Sequence, residues 1–138
     1  MNIINERDVL MGFWIFMLIM NMLIPLTMIC FGKMFQNHPP KEINSTFGYR
    51  TTWSMKNKDT WKFAHKYLGK LWYICGLLLL PLSIILMLSV LGLEEKTIGY
   101  TGGMICVAQL LFLIGSILPV ELALRKNFDQ QGNRRQEL

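Results

Sequence analysis

The sequence predicts an all-α, multi-pass membrane protein with three transmembrane helices. Hydrophobic residues make up 52% of the 138 positions, and they are concentrated in three runs that contain no charged residue. These runs cover 9–31, 71–93 and 100–120, and they hold 23, 23 and 21 residues. At about 1.5 Å per residue, each run forms a helix of roughly 31–35 Å, long enough to cross a hydrocarbon core of about 30 Å. We therefore place the three spans at about 9–31, 71–93 and 100–124.

The first run is expected to remain in the protein as a helix and not to be removed as a signal peptide. Signal peptides have apolar cores of roughly 7–15 residues and a cleavage site between small residues, and this run shows neither feature. A lipoprotein signal is also disfavoured, because the bulky Met28 and Ile29 precede Cys30 where lipidation requires small residues.

The second run gives the clearest indication of a lipid environment. Residues 77–93 are apolar around the whole circumference of the predicted helix, whereas a helix in a soluble bundle carries an apolar stripe and a polar face. Pro25 and Pro81 lie inside the first and second spans, where membrane proteins tolerate proline. We expect kinks at both positions.

The third run contains a glycine pattern and a polar residue. Gly99 and Gly103 form a GxxxG spacing, which is a weak indication of close helix packing within the chain or between copies. Gln109 lies in the middle of the span, and Asn21 occupies a similar position in the first span. We expect both side chains to bond to neighbouring helices and not to a substrate.

Lysine and arginine residues are divided unequally between the two predicted sides of the membrane. The loop 32–70 contains eight and the tail 125–138 contains four, whereas the other side has only Arg7 and Lys96. Because positively charged loops face the cytoplasm, we expect a bacterial plasma-membrane protein with its N-terminus outside and its loop and C-terminal tail inside. Anionic lipids at the inner face account for the net charge of +5 without nucleic acid as a partner.

The second half of the loop is predicted to form a basic amphipathic helix at the membrane interface. Asn57 can cap its N-terminus. Four lysines recur every four residues and form one ridge: Lys58, Lys62, Lys66 and Lys70. Aromatic and apolar residues occupy the rest of the circumference, so we expect this helix to turn its lysines toward lipid phosphates and to bend at Gly69 into the second span. The alternative is an ordinary anchoring flank of that span.

The first half of the loop contains an arginine whose partner has to be explained. Residues 44–54 read NSTFGYRTTWS and are not helical in pattern. Arg50 lies between the aromatic residues Tyr49 and Trp53 near the membrane, where a guanidinium suits a phosphate or a carboxylate. Glu121 is the acid within the last turns of a predicted span, so we predict that Arg50 pairs with Glu121 and fastens the loop beneath the bundle. The alternative is a solvated Glu121 beside Arg125 and Lys126.

The sequence does not indicate catalytic or metal-binding chemistry. The three cysteines all lie within predicted spans, and they form no CxxC pair, which disfavours a disulfide framework and a zinc site. His38 and His65 are 27 positions apart and have no ligand-like spacing to the cysteines. Because no nucleophile with a positioned base, carboxylate dyad or phosphate-binding loop is visible, we expect neither an enzyme nor a bound cofactor or metal.

A compound pattern extends over the loop and the start of the second span. Its residues are Asn44, Gly48, Tyr49, Arg50, Thr51, Ser54, Met55, Lys56, Asn57, Trp61, Ala64, Gly69 and Lys70. This pattern resembles the signature of the SdpI/YfhL family, bacterial membrane proteins named for immunity to a secreted sporulation-delaying peptide toxin. Larger family members carry additional membrane helices ahead of this module. The resemblance implies a small polytopic protein that protects a cell from a membrane-active toxin.

Three functions are compatible with the sequence. The resemblance implies immunity, by binding or neutralising the peptide toxin at the membrane. The second candidate is a small oligomeric transporter or channel subunit, although transport spans usually contain an ionisable residue and here only Glu121, near a span end, fits. The third is a membrane scaffold that binds lipids and a partner through the lysine ridge. A second copy of the chain is a candidate partner in each case.

Overall fold

The molecule is all-α, and three of its stretches are long and apolar enough to cross a membrane. The computed structural model describes residues 3–136, and this part of the chain contains four helices. They are α1 (Ile3–Asn37), α2 (Lys58–Leu88), α3 (Glu95–Gly115) and α4 (Ile117–Asn127). The three candidate spans are Asn5–Asn37, Lys58–Leu88 and Glu95–Asn127. The all-α class and the three helices able to span a membrane are therefore confirmed.

Helix α2 begins at a well-formed cap. The side chain of Asn57 accepts a hydrogen bond from the Thr60 N–H at 2.9 Å, and the Thr60 hydroxyl accepts one from the Asn57 N–H at 3.1 Å. This reciprocal pair is a capping box, which satisfies N–H groups that the first helical turn would leave without partners. The prediction of Asn57 as the N-cap is confirmed.

The lysine-bearing segment is the first part of α2 and not a separate interfacial helix. The helix continues from Lys58 through Gly69 into the second span without interruption, so the lysine-bearing segment and the span belong to the same helix. The reason is that Trp61, Ala64 and Leu68 lie on one helical face and are all buried, so this segment packs against the same neighbours as the span that follows it.

The third span is divided at Ser116 into α3 and α4. Pro119 has no N–H, so the carbonyl of Gly115 lacks its usual donor four residues later. The Ser116 N–H still bonds to the Phe112 carbonyl at 3.0 Å, but the next turn is loose, with 3.5 Å between the Val120 nitrogen and the Ser116 oxygen. The break lies within the predicted span 100–124, and α3 and α4 together form the candidate span Glu95–Asn127.

Helices α1 and α2 approach each other through glycines. A Cβ atom added at Gly69 would lie 2.6 Å from the carbonyl oxygen of Gly32, and one added at Gly32 would lie 2.6 Å from the Tyr73 nitrogen. Further along the same face, a Cβ at Gly76 would lie 2.9 Å from the Pro25 carbonyl oxygen. The nearest obstacles at Gly32 and Gly69 are backbone atoms, which cannot rotate away, so only glycine permits this helix separation.

A small polar layer joins the helices in the middle of the bundle. The Gln109 side-chain amide on α3 donates to the Asn21 carbonyl on α1 and to the Ser83 hydroxyl on α2, both at 2.8 Å. The Cys106 thiol donates to the Asn21 side-chain oxygen at 3.1 Å. Asn21, Ser83 and Gln109 are each at most 2% exposed. The predicted role of Gln109 in bonding to neighbouring helices is confirmed.

We expect Gly69→Ala to destabilise the protein by about 1–3 kcal/mol, because overpacking at a fixed backbone forces the helices apart. Gly103→Ala is the matched control: it is also a glycine in a membrane-spanning helix, but a Cβ there meets nothing within 4 Å. The measurement is the thermal unfolding midpoint in detergent micelles, followed by tryptophan fluorescence. Equal midpoints for the two variants would show that the α1–α2 contact is not tight.

Candidate functional site

Residues 38–57 connect α1 to α2 and fold back against one end of the bundle, called here the loop end. Tyr49 enters a buried cluster together with residues from α1, α2, α4 and the segment after α4. The other members are Phe35, Ala64, Leu68, Val120, Leu124 and Phe128. Because a loop residue is part of this core, the loop is held in one position relative to the helices.

A histidine on α2 holds the loop at its sharpest turn. Gly48 has a φ of 105°, and the following N–H, that of Tyr49, donates to His65 Nε2 at 2.8 Å. His65 Nδ1 lies 2.8 Å from the Trp61 carbonyl oxygen. Since Nε2 accepts, the proton is assigned to Nδ1, and the neutral ring satisfies both contacts.

The same turn is too crowded for any residue except glycine. A Cβ atom at position 48 would lie 2.5 Å from His65 Nε2 and 3.3 Å from the Trp61 ring. The positive φ of Gly48 is also a conformation that residues with a side chain rarely adopt. The small size of Gly48 therefore leaves room for His65, which accepts the hydrogen bond from the next residue, Tyr49, sixteen positions earlier in the sequence.

Glu121 on α4 is the acceptor that ties the loop to the third span. Its Oε1 accepts hydrogen bonds from the Tyr49 hydroxyl at 2.7 Å and from the Thr51 hydroxyl at 2.6 Å. Hydrogen bonds to a charged acceptor are short and strong. Burial, the hydrogen bond to Glu121 and the negative charge of that carboxylate raise the pKa of Tyr49 above its ordinary value, so its hydroxyl keeps the proton that it donates even in alkaline solution.

The predicted ion pair between Arg50 and Glu121 is wrong, although the predicted acid is the correct one. The Arg50 guanidinium donates to the Ser45 carbonyl, and the salt bridges among residues 3–136 do not include it. Tyr49 and Thr51 reach Glu121 from either side of Arg50, as residues two apart do in an extended chain, and Arg50 itself is exposed. Glu121 itself is only partly buried, and both of its hydrogen bonds are made by Oε1.

Ser54 closes the turn that carries these donors. Its hydroxyl accepts from the Thr51 N–H at 2.8 Å and lies 3.0 Å from the Tyr49 carbonyl oxygen. The residue is completely buried. Ser54 therefore holds Tyr49 and Thr51 in the orientation that brings both hydroxyls to the carboxylate.

The remaining loop residues of the predicted site also bond within the fold. Asn44 Oδ1 accepts from the N–H groups of Thr46 and Phe47, at 3.0 and 2.6 Å, an arrangement typical of asparagine in turns. The indole N–H of Trp61, on the first turn of α2, donates to the Pro40 carbonyl at 2.8 Å. Both contacts shape the path of the loop from α1 to α2.

The segment after α4 returns to the start of α2. Phe128 is fully buried in the cluster. The Asn57 side-chain amide donates to the Gly132 carbonyl at 2.7 Å, and the Lys56 ammonium donates to the Gln130 carbonyl at 2.6 Å. The predicted tail 125–138 is thus, as far as residue 136, part of the loop end and includes the last residues of α4.

The lysine ridge lies on the surface of α2. Lys58, Lys62, Lys66 and Lys70 are all exposed. Lys58 Nζ lies 3.4 Å from Glu42 Oε1, but both side chains are about three-quarters exposed, so this pair contributes little to stability. The ridge is separate from the buried site, which faces the opposite side of the helix.

Sequence reasoning did not identify His65 and Phe128 as parts of the site. His65 was considered only as a metal ligand, although its place four residues after Trp61, on the face that carries the buried apolar residues, was a local signal of burial. Phe128 had a weaker signal, as an aromatic residue directly after a helix end. Their contacts with the loop join positions far apart in the chain, which no local pattern reports.

The arrangement can hold structural elements together and present charge, but it offers no metal-binding cluster within residues 3–136. Three side chains of the site join different elements of the loop end: Glu121 joins α4 to the loop, His65 joins α2 to the loop, and Asn57 joins the start of α2 to the segment after α4. The site is therefore a set of hydrogen bonds that holds the elements at one end of the helical bundle together.

These features define a small multi-pass membrane protein whose polar loop packs against one end of a bundle of three spans and is hydrogen-bonded to it. Residues 41–120 match the profile of the SdpI/YfhL protein family, and the chain belongs to this family, as its loop pattern predicted. It is 37% identical over 59 residues to the uncharacterized protein YfhL of Bacillus subtilis strain 168. That similarity covers 43% of this chain and 54% of YfhL, so the chain spans about half the length of this relative. No solved structure matches the chain.

We expect Thr51→Val and Glu121→Gln to be strongly coupled, because the first change removes a donor to the carboxylate and the second removes its charge. The double variant should lose less stability than the sum of the two single variants, by about 1–3 kcal/mol. Arg50→Ala with Glu121→Gln is the control cycle and should be additive within about 0.5 kcal/mol. Equilibrium unfolding in mixed micelles with sodium dodecyl sulfate gives all the values. Coupling found only in the cycle of Arg50 and Glu121 would instead support the originally predicted ion pair between them.

We expect Gly48→Ala to destabilise the protein by about 1–2 kcal/mol more than Gly92→Ala, because only the first variant combines strain with crowding. The two glycines have φ angles of 105° and 81°, but a Cβ at Gly92 meets nothing within 4 Å. Unfolding midpoints compare the variants. Hydrogen exchange followed by mass spectrometry should also show faster exchange in the segment containing Tyr49. Equal loss in both variants would mean that His65 does not crowd position 48.

Proposed function

We propose that this chain protects a bacterial cell against a secreted, membrane-active peptide by binding or neutralising that peptide at the membrane. The observation that carries the proposal is the family match over residues 41–120, because the family is named for immunity to a secreted peptide toxin. The three helices that are long and apolar enough to cross a membrane support it, because a membrane-active peptide acts in the bilayer.

In this proposal the protein lies in the plasma membrane with its N-terminus outside and its loop end in the cytoplasm. The excess of lysine and arginine in the loop and after α4 supports this orientation. The exposed ridge of Lys58, Lys62, Lys66 and Lys70 would then lie beside anionic lipids, with each charge contributing about 1 kcal/mol near the surface. The short connection between α2 and α3, with Glu94, faces outward.

The family pattern itself is proposed to maintain the fold and not to contact the toxin. Tyr49 and Thr51 are bonded to Glu121, and Asn57 is bonded to Thr60 and Gly132. Side chains with these internal partners are poorly placed to bind a peptide that arrives from the other side of the membrane. Recognition is then expected on the lipid-facing helices.

Those helices offer large exposed apolar side chains toward the end of the bundle opposite the loop. On α1 and α3 they include Val9, Phe16, Tyr100 and Met104. A hydrophobic peptide that entered the outer half of the bilayer would meet these side chains, and van der Waals packing would drive its association, as it does between membrane helices. The peptide held in this way would be unavailable for permeabilising the membrane.

Expression of the full chain in a toxin-sensitive bacterium should increase survival in the presence of the sporulation-delaying peptide. The readout is the toxin concentration that halves growth, with membrane localisation confirmed in every strain. Unchanged killing with the protein present in the membrane would refute the proposal. Gly69→Ala should reduce protection in proportion to its loss of folded protein, since the α1–α2 contact is required for the fold.

The double variant Lys62→Gln with Lys66→Gln separates immunity from the scaffold function. Both lysines are exposed and form no ion pair among the described residues, so the fold should remain intact. Protection is expected to persist, because the proposed peptide contacts lie at the other end of the bundle. Complete loss of protection, with normal protein levels, would assign the function to the lysine ridge and its partners inside the cell.

A further inference from the structure

A cavity of about 500 Å³ lies at the loop end between α1 and the junction of α3 and α4. This volume is within the range of small-molecule sites, about 300–1,000 Å³. The walls are mostly apolar and come from α1, α2 and α3: Phe31, Phe35, Leu68, Trp72, Leu113 and Ile114. The size and the lining indicate a binding site for an apolar group.

The polar groups of the cavity come mainly from the loop. Tyr49, Arg50 and Thr51 line it there. The hydroxyls of Tyr49 and Thr51 are already committed to Glu121, and Glu121 itself is not part of the lining. Arg50 therefore supplies the charge available to a ligand, and that charge is positive.

Arg50 retains hydrogen-bonding capacity. A guanidinium has five N–H donors in a planar fork, and Ser45 is the acceptor found for it among residues 3–136. The side chain is exposed at the loop end. Such a group binds phosphate through two parallel hydrogen bonds.

The cavity is accessible from the side of the bundle. Ile114 and Ile117 line it and are 62% and 42% exposed, so its wall continues to the surface that faces lipid. On α1 the lining extends from Thr27 to Phe35, which corresponds to about 12 Å along the helix axis. An apolar chain in the bilayer can reach this groove without crossing water.

We propose that this cavity binds one acyl chain of an anionic phospholipid whose phosphate is held by Arg50. The apolar groove holds the acyl chain, and the arginine at the polar end donates hydrogen bonds to the headgroup phosphate. The site therefore matches the polarity of an amphiphile and its orientation, with the headgroup at the loop end. A helical peptide is disfavoured, because a helix with side chains is about 10–12 Å in diameter and exceeds a groove of this volume. The proposal does not depend on the immunity function.

Titration of the purified full chain with dioctanoylphosphatidylglycerol in a non-ionic detergent tests the site. The lipid should raise the thermal unfolding midpoint and appear as a single adduct in native mass spectrometry. Arg50→Gln should increase the half-saturating lipid concentration about tenfold, the loss expected for one charged hydrogen-bonding partner. Arg50→Lys should retain part of the affinity. Lys126→Gln, an exposed cation outside the cavity, should leave the affinity unchanged.

A second pair of variants tests the apolar groove independently of charge. Leu113→Trp places a larger side chain in the cavity wall and should abolish the lipid adduct, whereas Leu111→Trp, on the exposed surface of α3 outside this cavity, should preserve it. Unaltered binding in both Arg50→Gln and Leu113→Trp would overturn the proposal.

Two further ligands test whether the cavity binds something other than a phospholipid. Stabilisation by glycerol 3-phosphate equal to that by the lipid would show a free phosphate site and refute acyl-chain binding. Displacement of the lipid adduct by a hydrophobic helical peptide, with no change in Arg50→Gln, would show that the groove is a peptide site and would equally refute the proposal.

Discussion

The close backbone contact between α1 and α2 is the constraint on which the rest of the molecule depends. Gly32 and Gly69 approach so closely that no side chain fits between the helices. Because α2 is one continuous helix from Lys58, this contact also determines the position of its first turns relative to α1. The His65 ring is thereby presented to the loop, and the Tyr49 N–H reaches it at 2.8 Å. The contact between Gly32 and Gly69 thus fixes the position of the histidine that binds the polar loop.

Glu121 provides the second connection, between this helix pair and the third span. Two hydroxyls from the loop converge on one carboxylate oxygen, so a charge at the end of an apolar helix is stabilised by donors instead of by a cation. The loop becomes the link between α1, α2 and α4, while Arg50 remains at the surface beside an apolar groove. The family pattern in this chain therefore combines residues that hold the fold with one residue positioned for a ligand.

The features that sequence reasoning located correctly depend on neighbouring residues or on the bilayer. Asn57 could be identified as a cap because a cap bonds to N–H groups two or three residues away. Gln109 could be assigned to helix contacts because lipid offers an amide no partner. The sequence predicted Arg50 as the partner of Glu121 because their charges are opposite. The partners are instead its two neighbours, since the path of the loop decides which side chains point toward α4.

By itself, the sequence determined the class of the protein, its family, and the three apolar stretches, because long uncharged runs have one stable environment and the loop pattern is specific. It also identified Gly48, Gly69 and Glu121 as residues that matter. Only the tertiary structure decided what they do. Gly69 allows close contact with α1, and Gly48 makes room for His65. Glu121 accepts hydrogen bonds from two hydroxyls and not from Arg50. The physical reason is that these roles are set by backbone approach and side-chain direction between segments that are distant in sequence, and local patterns carry no information about either.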